Sequence, residues 1–505
     1  MEIILPDPGT GPSDIIKLDD IIFPLHQAIE KEYKDLPWPS NIQKIVILTE
    51  VLGGRGDIAT AAKVIHLLQN INKTLIFDWV LTDGERYNPE SYLTIKDGVT
   101  IRYFGSQPVD MDIPYDLIIV GPVNCCWGID YIQTRISRSI VDPSLSFSFQ
   151  ENGTPLSNTF HKVFTRSSMK GINYNILHKY LFNLRNLDGI KHLPMGLRLG
   201  SGLFLNSDRL NITNIDSIFP SEISDHKLRE HIINLSVGSF NFGYAHRPIS
   251  WGKFIDCVTI HEKYSSVTIV LNQRGEYDHL STKTFWDDII NPRILSLRNR
   301  GYGNILLQGD NERYFNYNKN GRDLTVIIRE SFHPNDVRLM QLKAKRLLAT
   351  GDNSAIESIC CKCDLYLYED IANGGCKYLF LQQQIAIANM FSSNLGKLLE
   401  IFGSPKINPH FITEIESILE DPNITLATIK FCDHIINNYS FADVIESSIK
   451  RVIWNTLIPT MEDVEIKYIN DEFKDGIIRY ITDGNTTGQV YNLTNISDMK
   501  LELQC

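Results

Sequence analysis

The stretch that decides the fold runs from Lys44 to Leu68 and reads KIVILTEVLGGRGDIATAAKVIHLL. It begins with a short β-branched apolar run at residues 45–48, which is typical of a parallel strand buried on both faces. The glycine-rich segment 53–56 then predicts a sharp turn, because a residue without a Cβ adopts positive φ without strain. Apolar residues recur at helical spacing from Ile58 onwards, and Asp57 is a candidate N-cap. The stretch therefore predicts a strand, a glycine turn and a helix.

The glycine turn is also a candidate ligand site. Its spacing departs from the dinucleotide-binding fingerprint, because Ala59 stands where G-x-G-x-x-G requires a third glycine. Two interpretations stay open, since the glycines either only tighten the turn or let a ligand approach the backbone. Glu50, Arg55 and Asp57 favour the second, because open α/β sheets bind ligands at the carboxyl ends of their strands. A helix N-terminus at that position suits an anion.

The composition indicates a soluble chain of two domains. Its 505 residues exceed one ordinary core. The formal net charge of −11 and the sequence pI near 5.7 argue against a nucleic-acid-binding surface. No apolar run approaches the roughly 20 residues of a membrane span, and no basic and apolar leader opens the sequence. The nine cysteines, an odd number, fit a reducing compartment, so we expect a cytoplasmic protein.

Alternation of strands and helices predicts an α/β fold with two Rossmann-like domains. The predicted limits are an extension over 1–40, a first domain over 41–230, a second over 231–400, and an appendage of helices and short strands over 401–505. In the first domain we predict further strands at 74–81, 99–104, 116–120 and 145–150, and an irregular helix at 172–190. In the second we predict strands at 234–240, 266–271, 304–307 and 324–328, a turn at 242–244 and a helix at 251–260.

The richest stretch of the second half is RLLATGDNSAIES at residues 346–358. A short strand ends in Thr-Gly, and Gly351 to Ser354 then offer capping and phosphate-binding groups at the start of a helix. The next strand delivers Glu369 to the same edge of the sheet. The same four residues are also simply a good N-cap sequence, so both interpretations stay open.

Two clusters resemble metal sites. Asp110 and Asp112 form an Asp-x-Asp triplet, but prolines flank it on both sides, which favours a solvated turn. A zinc site could draw on several sulfur and imidazole side chains, although their second pair lacks the usual ligand spacing, which favours buried small hydrophobes. Those side chains are Cys360, Cys361, Cys363, Cys376, Cys432 and His434.

The two glycine-opened helices make the chain similar to GT-B glycosyltransferases over about residues 42–400. Gly56-Asp57 and the Gly-Asp-Asn-Ser run at 351–354 also loosely resemble the bacterial protein-arginine rhamnosyltransferase group. The resemblance implies two facing Rossmann-like domains and transfer of a sugar from a nucleotide-diphosphate sugar to an acceptor, a protein being one candidate. It further implies inversion at the anomeric carbon, no metal ion and no cofactor beyond the donor.

The resemblance also implies roles for residues. Asp57 would be the general base that deprotonates the acceptor, and Glu50 or Arg55 would orient it. The run 351–354 would hold the diphosphate and stabilise charge as the nucleotide leaves. The full set of donor-side candidates is Gly54, Tyr244, Arg329, His333, Gly351, Asp352, Asn353, Ser354, Glu357 and Glu369.

Three classes of function stay open. The first is a nucleotide-sugar glycosyltransferase, and the second is a nucleotide-sugar epimerase or hydrolase on the same scaffold. The third is a catalytically inactive binding protein of the same fold. Without acceptor, a transferase releases nucleoside diphosphate only slowly and an epimerase isomerises the sugar, whereas a binding protein does neither.

Overall fold

The structure is a computed structural model. It describes residues 2–4, 33–49, 51, 55–81, 88–103, 115–122, 146–149, 186–187, 190–193, 196–197, 202–205, 210, 214–233, 238–273, 280–309, 311–370, 376–404, 410–457 and 490–492. The chain divides into two compact units. Unit 1 comprises residues 1–204 and 439–505, and unit 2 comprises residues 205–438.

The strands account for both sheets and for one separate terminal pair. They are β1 (Glu2–Ile4), β2 (Lys44–Thr49), β3 (Ile76–Leu81), β4 (Val99–Tyr103), β5 (Leu117–Val120), β6 (Ser146–Phe149), β7 (Asn186–Leu187), β8 (Ile190–Leu193), β9 (Ser239–Tyr244), β10 (Val267–Asn272), β11 (Tyr302–Gln308), β12 (Arg313–Asn316), β13 (Arg322–Arg329), β14 (Arg346–Thr350), β15 (Leu365–Glu369) and β16 (Val490–Asn492). β1 and β16 pair with each other in antiparallel orientation.

The α-helices are α1 (Arg55–Ile71), α2 (Ile215–Ile218), α3 (His226–Ile233), α4 (Pro248–His261), α5 (Thr282–Phe285), α6 (Ile294–Asn299), α7 (Pro334–Lys343), α8 (Asp352–Cys360), α9 (Cys376–Phe391), α10 (Ser393–Gly403), α11 (Phe411–Leu419), α12 (Ile424–Asn438) and α13 (Phe441–Leu457). A π-helical turn at Trp286–Ile290 and a 3-10 turn at Asn291–Arg293 join α5 to α6. Within the described ranges, no helix has the length and apolarity that a membrane span requires.

Unit 1 contains a seven-stranded sheet in the order β4-β3-β2-β5-β6-β8-β7. Every neighbouring pair is parallel except β7 with β8. β2, the first strand of this sheet, is central, and its residues 45–49 are all buried. α1 follows it and buries the apolar side chains of Ile58, Ile65 and Leu68. The strand, turn and helix predicted for this stretch therefore form the centre of unit 1.

Unit 2 contains a second seven-stranded sheet in the order β12-β11-β13-β10-β9-β14-β15. Every neighbouring pair is parallel except β12 with β11. The β10 strand is buried at all of its positions, as expected for a parallel strand covered on both faces. Two α/β units, each with a largely parallel sheet whose first strand is interior, confirm the predicted fold class.

Two of the predicted elements are wrong. Residues 242–244 do not form a turn but end β9, and this strand begins at Ser239, five residues later than predicted. The turn was predicted from Gly243, but this glycine is needed for close packing within the strand. An added Cβ would lie 2.8 Å from the Leu271 side chain and 3.0 Å from that of Phe254 in α4. The predicted irregular helix over 172–190 is wrong at its end, because β7 pairs with β8 there, and residues 172–185 lie outside the described part.

The last helix belongs to unit 1, although it follows the whole of unit 2 in sequence. The α13 helix contributes Phe441 to the unit 1 core, where its ring lies 4.5 Å from that of Phe204. Lys450 Nζ donates to the carbonyl of Lys34 at 2.8 Å. The first unit boundary lies after Phe204, whereas the predicted first domain extends to residue 230. The predicted appendage 401–505 is divided between the two units instead of forming a body of its own.

Candidate functional site

The carboxyl ends of β9, β14 and β15 form the candidate site of unit 2, and we call them the switch-point edge. β9 is the first strand of its sheet, and the chain adds β10 on one side of it and β14 on the other. Open α/β sheets bind ligands where the strand order reverses in this way. α4 begins after β9, and α8 begins after β14. Their first N–H groups and dipoles favour an anion at this edge.

Gly351 joins β14 to α8 in a conformation that glycine alone adopts readily. Its φ is 71° and its ψ is 163°, a region that is essentially restricted to glycine. Apart from the two adjacent residues, no heavy atom of the described part of the chain lies within 4 Å of the place where a Cβ would stand. The backbone at the start of α8 therefore borders open space, which a ligand can occupy.

Glu369, at the end of β15, binds the segment that follows β9 at the switch-point edge. Its Oε2 accepts from the backbone N–H of His246 at 2.8 Å, and its Oε1 accepts from that of Arg247 at 3.0 Å. The residue is only 2% exposed. The carboxylate thus fixes the segment that connects β9 to α4, which is a positioning contact within the protein.

Tyr244 ends β9 and presents an aromatic ring at the same edge. Its Oη lies 3.2 Å from His246 Nε2, and the two ring centroids lie 5.3 Å apart. The sequence analysis did not select His246 or Arg247. The signal that could have identified them is their position directly after a strand that ends at the switch point.

The α8 candidates bond mainly within their own helix. Ser354 Oγ donates to the carbonyl of Thr350, and Asn353 Nδ2 donates to Glu357 Oε1 at 3.2 Å. Asp352 is the first residue of the helix. The Ser354 hydroxyl proton is therefore engaged, whereas the backbone N–H groups of the first turn are the donors suited to an anion.

Arg329 and His333 lie at the same edge but further along the sheet. Arg329 ends β13, which β10 separates from β9, so it lies roughly 10 Å from the switch point at ordinary strand spacing. Its side chain is buried, and Nη1 donates to the carbonyl of Ile328 at 3.0 Å. His333 is the N-cap of α7, and its Nδ1 accepts from the N–H of Asn335 at 3.3 Å.

In unit 1, Asp57 lies at the carboxyl edge of the sheet, beyond the central strand β2. It is not the N-cap, because α1 begins at Arg55 and places Asp57 in the first turn. The residue is 8% exposed. Gly56 is helical, and apart from its two neighbours and the nearby backbone of its own helix, no heavy atom of the described residues lies within 4 Å of the place where its Cβ would stand. Units 1 and 2 therefore repeat one arrangement, a glycine with open space beside it at the start of the helix.

Several predicted residues lie outside the described ranges. These are Glu50, Gly54, Asp110 and Asp112. Within those ranges, no group of three or more His, Cys, Asp and Glu side chains is placed to hold a metal ion. The cysteines of the zinc alternative at positions 360, 361, 363 and 432 are not disulfide-bonded.

Lys253 supports the switch-point edge from the inside of α4. Its Nζ donates to the carbonyls of Ile401, Phe402 and Ser404 at 3.1, 3.1 and 2.8 Å. It thereby satisfies carbonyls at the C-terminus of α10, where a positive charge is favourable. Burial lowers the pKa of Lys253 to about 8, against the opposing influence of Cys257 and Glu369.

The amino ends of the same strands are closed by a buried polar network. The Arg346 guanidinium, 3% exposed, stands at its centre. Its Nε donates to His261 Nδ1 at 2.7 Å, Nη1 to Ser239 Oγ at 3.0 Å and to Asn241 Oδ1 at 3.2 Å, and Nη2 to Glu262 Oε2 at 3.2 Å. All five nitrogen-bound protons of a guanidinium need partners when buried, and this network supplies most of them. This edge therefore stabilises unit 2 and leaves ligand binding to the carboxyl edge.

Charge in this network depends on pH. Burial raises the pKa of the Glu262 carboxyl, but Arg346 and the N–H groups of Ser265 and Tyr264 outweigh it, so the pKa lies below its usual value. Burial, and then the positive charge of Arg346, lower the pKa of His261 to about 4. Its Nδ1 is an acceptor here, so His261 is the neutral imidazole at neutral pH.

We expect His261 to make unit 2 acid-sensitive. The folded pKa lies below the unfolded value of about 6.5, so the unfolded chain binds the proton first, and stability falls as the pH falls from 6.5 towards 4. The loss amounts to about 3 kcal/mol at most. His261→Asn keeps an acceptor near the Nδ1 position but does not titrate. Hydrogen exchange of the β9 and β14 amides measures the free energy of unfolding of unit 2. The wild type should be more stable than this variant at pH 7, and the difference should shrink as the pH falls to 4.5. A stability difference that does not depend on pH would contradict the assignment.

Comparisons with known proteins find likeness at the level of structure. No protein-family model matches the chain, and no curated protein matches it in sequence. A UGT transferase from Siraitia grosvenorii in complex with UDP aligns with 81% of this chain and 99% of its own, at 12% identity and a TM-score of 0.45. A Medicago truncatula UGT complexed with UDP-glucose aligns with 82% of this chain and 98% of its own, at 11% identity and a TM-score of 0.41. The structure describing EarP-mediated arginine glycosylation of translation elongation factor EF-P aligns with 79% of this chain and 96% of its own, at 8% identity and a TM-score of 0.36.

Proposed function

We propose that the protein is a glycosyltransferase that takes a sugar from a nucleotide-diphosphate donor bound at the switch-point edge of unit 2. The observation that carries this proposal is the start of α8. There, Gly351 places the backbone against open space at the point where the strand order reverses. Such a helix start binds the oxygens of a diphosphate through N–H groups and the helix dipole, with no need for a metal ion.

The donor would be held by three adjacent strand ends. The first turn of α8 would bind the diphosphate and stabilise its charge as the sugar departs. Tyr244, at the end of β9, would cover the base or the sugar with its ring. Glu369 would keep the His246–Arg247 segment in place and accept from a ribose hydroxyl.

Asp57 of unit 1 would act as the general base. A carboxylate suits the task, because it can accept the proton that the acceptor loses as it attacks the anomeric carbon. Direct attack of this kind inverts the configuration at that carbon. Glu50 and Arg55 would orient the acceptor or the base, and the acceptor would be a protein or a smaller molecule. We further propose a cytoplasmic location, from the sequence features alone.

Binding of nucleoside diphosphates to Gly351→Ala tests the donor site. Alanine at the observed φ and ψ costs about 1–3 kcal/mol, so the start of α8 must shift. We expect UDP, GDP or dTDP, whichever binds the wild type best in calorimetry, to bind the variant about tenfold more weakly or worse. The wild-type affinity should survive a chelator.

Gly301→Ala is the matched control for this experiment. Gly301 also has positive φ, 88°, and a Cβ added there would lie 3.8 Å from the nearest atom beyond the adjacent residues, but it precedes β11 at the amino edge of the sheet. Alanine is unfavourable at that positive φ too, so the variant should carry backbone strain at the opposite edge of the sheet and leave nucleotide affinity unchanged. Absence of binding by all three nucleotides to the wild type, or equal affinity of wild type and Gly351→Ala, would refute the proposal. Sugar isomerisation without acceptor would indicate an epimerase instead.

A further inference from the structure

The edge strand β12 has one side without a strand partner in the described part of the chain. It is the terminal strand of the unit 2 sheet and pairs antiparallel with β11. The N–H of Gly309 donates to the carbonyl of Glu312 at 2.9 Å, which fixes the residues whose backbone faces β11. Backbone direction alternates along a strand, so Tyr314 and Asn316 also face β11, whereas Arg313 and Phe315 direct their N–H and C=O groups outward.

The side chains of β12 divide in the same alternating way. On one face, Tyr314 stacks on Trp286 at 5.9 Å, and Asn316 accepts from Arg298. On the other face, Phe315 is 73% exposed, and Tyr317, just beyond the strand, is 66% exposed. Natural proteins usually blunt sheet edges with lysine, proline or a bulge, because an open edge pairs readily with another strand. An open edge with two exposed aromatic rings is therefore suited to binding another strand.

We propose that the outer edge of β12 pairs with the same edge of a second copy of this chain, antiparallel about a dyad at Phe315. Hydrogen-bonded pairs in such a dimer must join residues that face outward. With Phe315 opposite its own copy, Arg313 stands opposite Tyr317 on both sides of the dyad. A guanidinium over a tyrosine ring is attractive, and two facing phenyl rings are a favourable cross-strand pair.

Charge selects this register over its neighbours. A dyad one residue later, at Asn316, places Arg313 opposite Lys319, and like charges directly opposite one another are destabilising. A dyad one residue earlier, at Tyr314, places Arg313 opposite Phe315 and Tyr317 opposite Asn311, which removes the facing pair of phenyl rings. The strand is thus complementary to itself, which argues for a second copy as the occupant. The pair of short strands buries less than the ~1,200 Å² of a standard interface, so the dimer should dissociate on dilution.

Sedimentation velocity over a micromolar concentration series tests the dimer. The wild type should pass from monomer to dimer as concentration rises. Phe315→Asp places two carboxylates together at the dyad and should raise the dissociation constant by more than about tenfold. Tyr264→Asp is the control, because Tyr264 is an aromatic residue that lies outside β12 and is 88% exposed. This variant should dimerise like the wild type. A wild type that stays monomeric, or a dimer that both variants preserve, would overturn the proposal.

Disulfide trapping tests the register without relying on the aspartate variant. Cα atoms of a hydrogen-bonded antiparallel pair lie about 5.5 Å apart, which is within disulfide range. Phe315→Cys should therefore form a covalent dimer under mild oxidation, whereas the wild type and Tyr264→Cys should not. A Phe315→Cys protein that stays uncrosslinked, or crosslinks no more than Tyr264→Cys, would exclude a dyad at this residue.

Discussion

Asp57→Asn should lower the rate of sugar transfer by roughly two to four orders of magnitude while leaving nucleoside diphosphate affinity nearly unchanged. Asparagine has nearly the same shape as aspartate, but it is uncharged and cannot take up the proton of the acceptor. The donor contacts that we propose lie in unit 2, whereas Asp57 lies in unit 1. The rate of sugar transfer should therefore fall without a change in nucleotide affinity. Turnover under saturating donor, together with calorimetry on the same samples, provides both numbers.

The size of the effect distinguishes catalysis from helix stabilisation. Asp57 is an acidic residue in the first turn of α1, where a negative charge stabilises a helix by about 0.3–1 kcal/mol. If that were its whole role, Asp57→Asn would melt slightly earlier and turn over at nearly the wild-type rate once folded. Full activity in the Asn variant would remove Asp57 from the mechanism and make Glu50 the next carboxylate to replace.

Arg346→Met should destabilise unit 2 by roughly 3–5 kcal/mol, the usual loss when one partner of a buried ion pair is removed. The change leaves the Glu262 carboxylate and the Asn241 and Ser239 side chains without their common donor. Methionine fills a similar volume, so the loss reports on the polar contacts rather than on a cavity. Hydrogen exchange of β9, β10 and β14 amides measures the effect within unit 2 alone.

Two further substitutions serve as controls for Arg346→Met, one at the same position and one at the surface of unit 2. Arg346→Lys keeps the positive charge, but an ammonium group cannot bind all the partners that the planar guanidinium binds. The stability of this variant should therefore lie between those of the wild type and Arg346→Met. Arg298→Met removes an exposed guanidinium from the same unit and should change stability by less than about 0.5 kcal/mol. An Arg346→Met protein as stable as Arg298→Met would show that the network contributes nothing measurable.

The sequence predicted the sheets better than the site. Strands such as β2, β5 and β14 were predictable because parallel strands buried on both faces are continuous apolar runs. β9 was placed too early because it carries Asn241 and Gly243 in its interior. Asn241 is there for the Arg346 network and Gly243 for close packing of α4, and both causes are tertiary contacts that no local pattern reveals.

The site was predictable as a location but not as a set of contacts. Helix-opening glycine and short polar residues at Gly351 to Ser354 pointed to the end of β14, where the structure places the start of α8. The partners of Glu369 are backbone N–H groups more than a hundred residues earlier, so their side-chain identity carries no signal. Likewise, nothing in the sequence of α13 shows that it completes unit 1, because its apolar stripe would suit either unit.

The return of α13 to unit 1 has a consequence for how the protein is made. Residues 205–438, 234 in number, must be synthesised after Phe204 and before the helix that covers it. At ribosomal speeds this takes roughly 10–50 s, during which the apolar side of α1 that packs against α13 remains uncovered on the nascent chain. All residues of unit 2 have been synthesised by the end of that interval, before α13 is made. A message that ends before codon 441 would therefore yield a finished unit 2 attached to a unit 1 that chaperones and proteases recognise as incomplete.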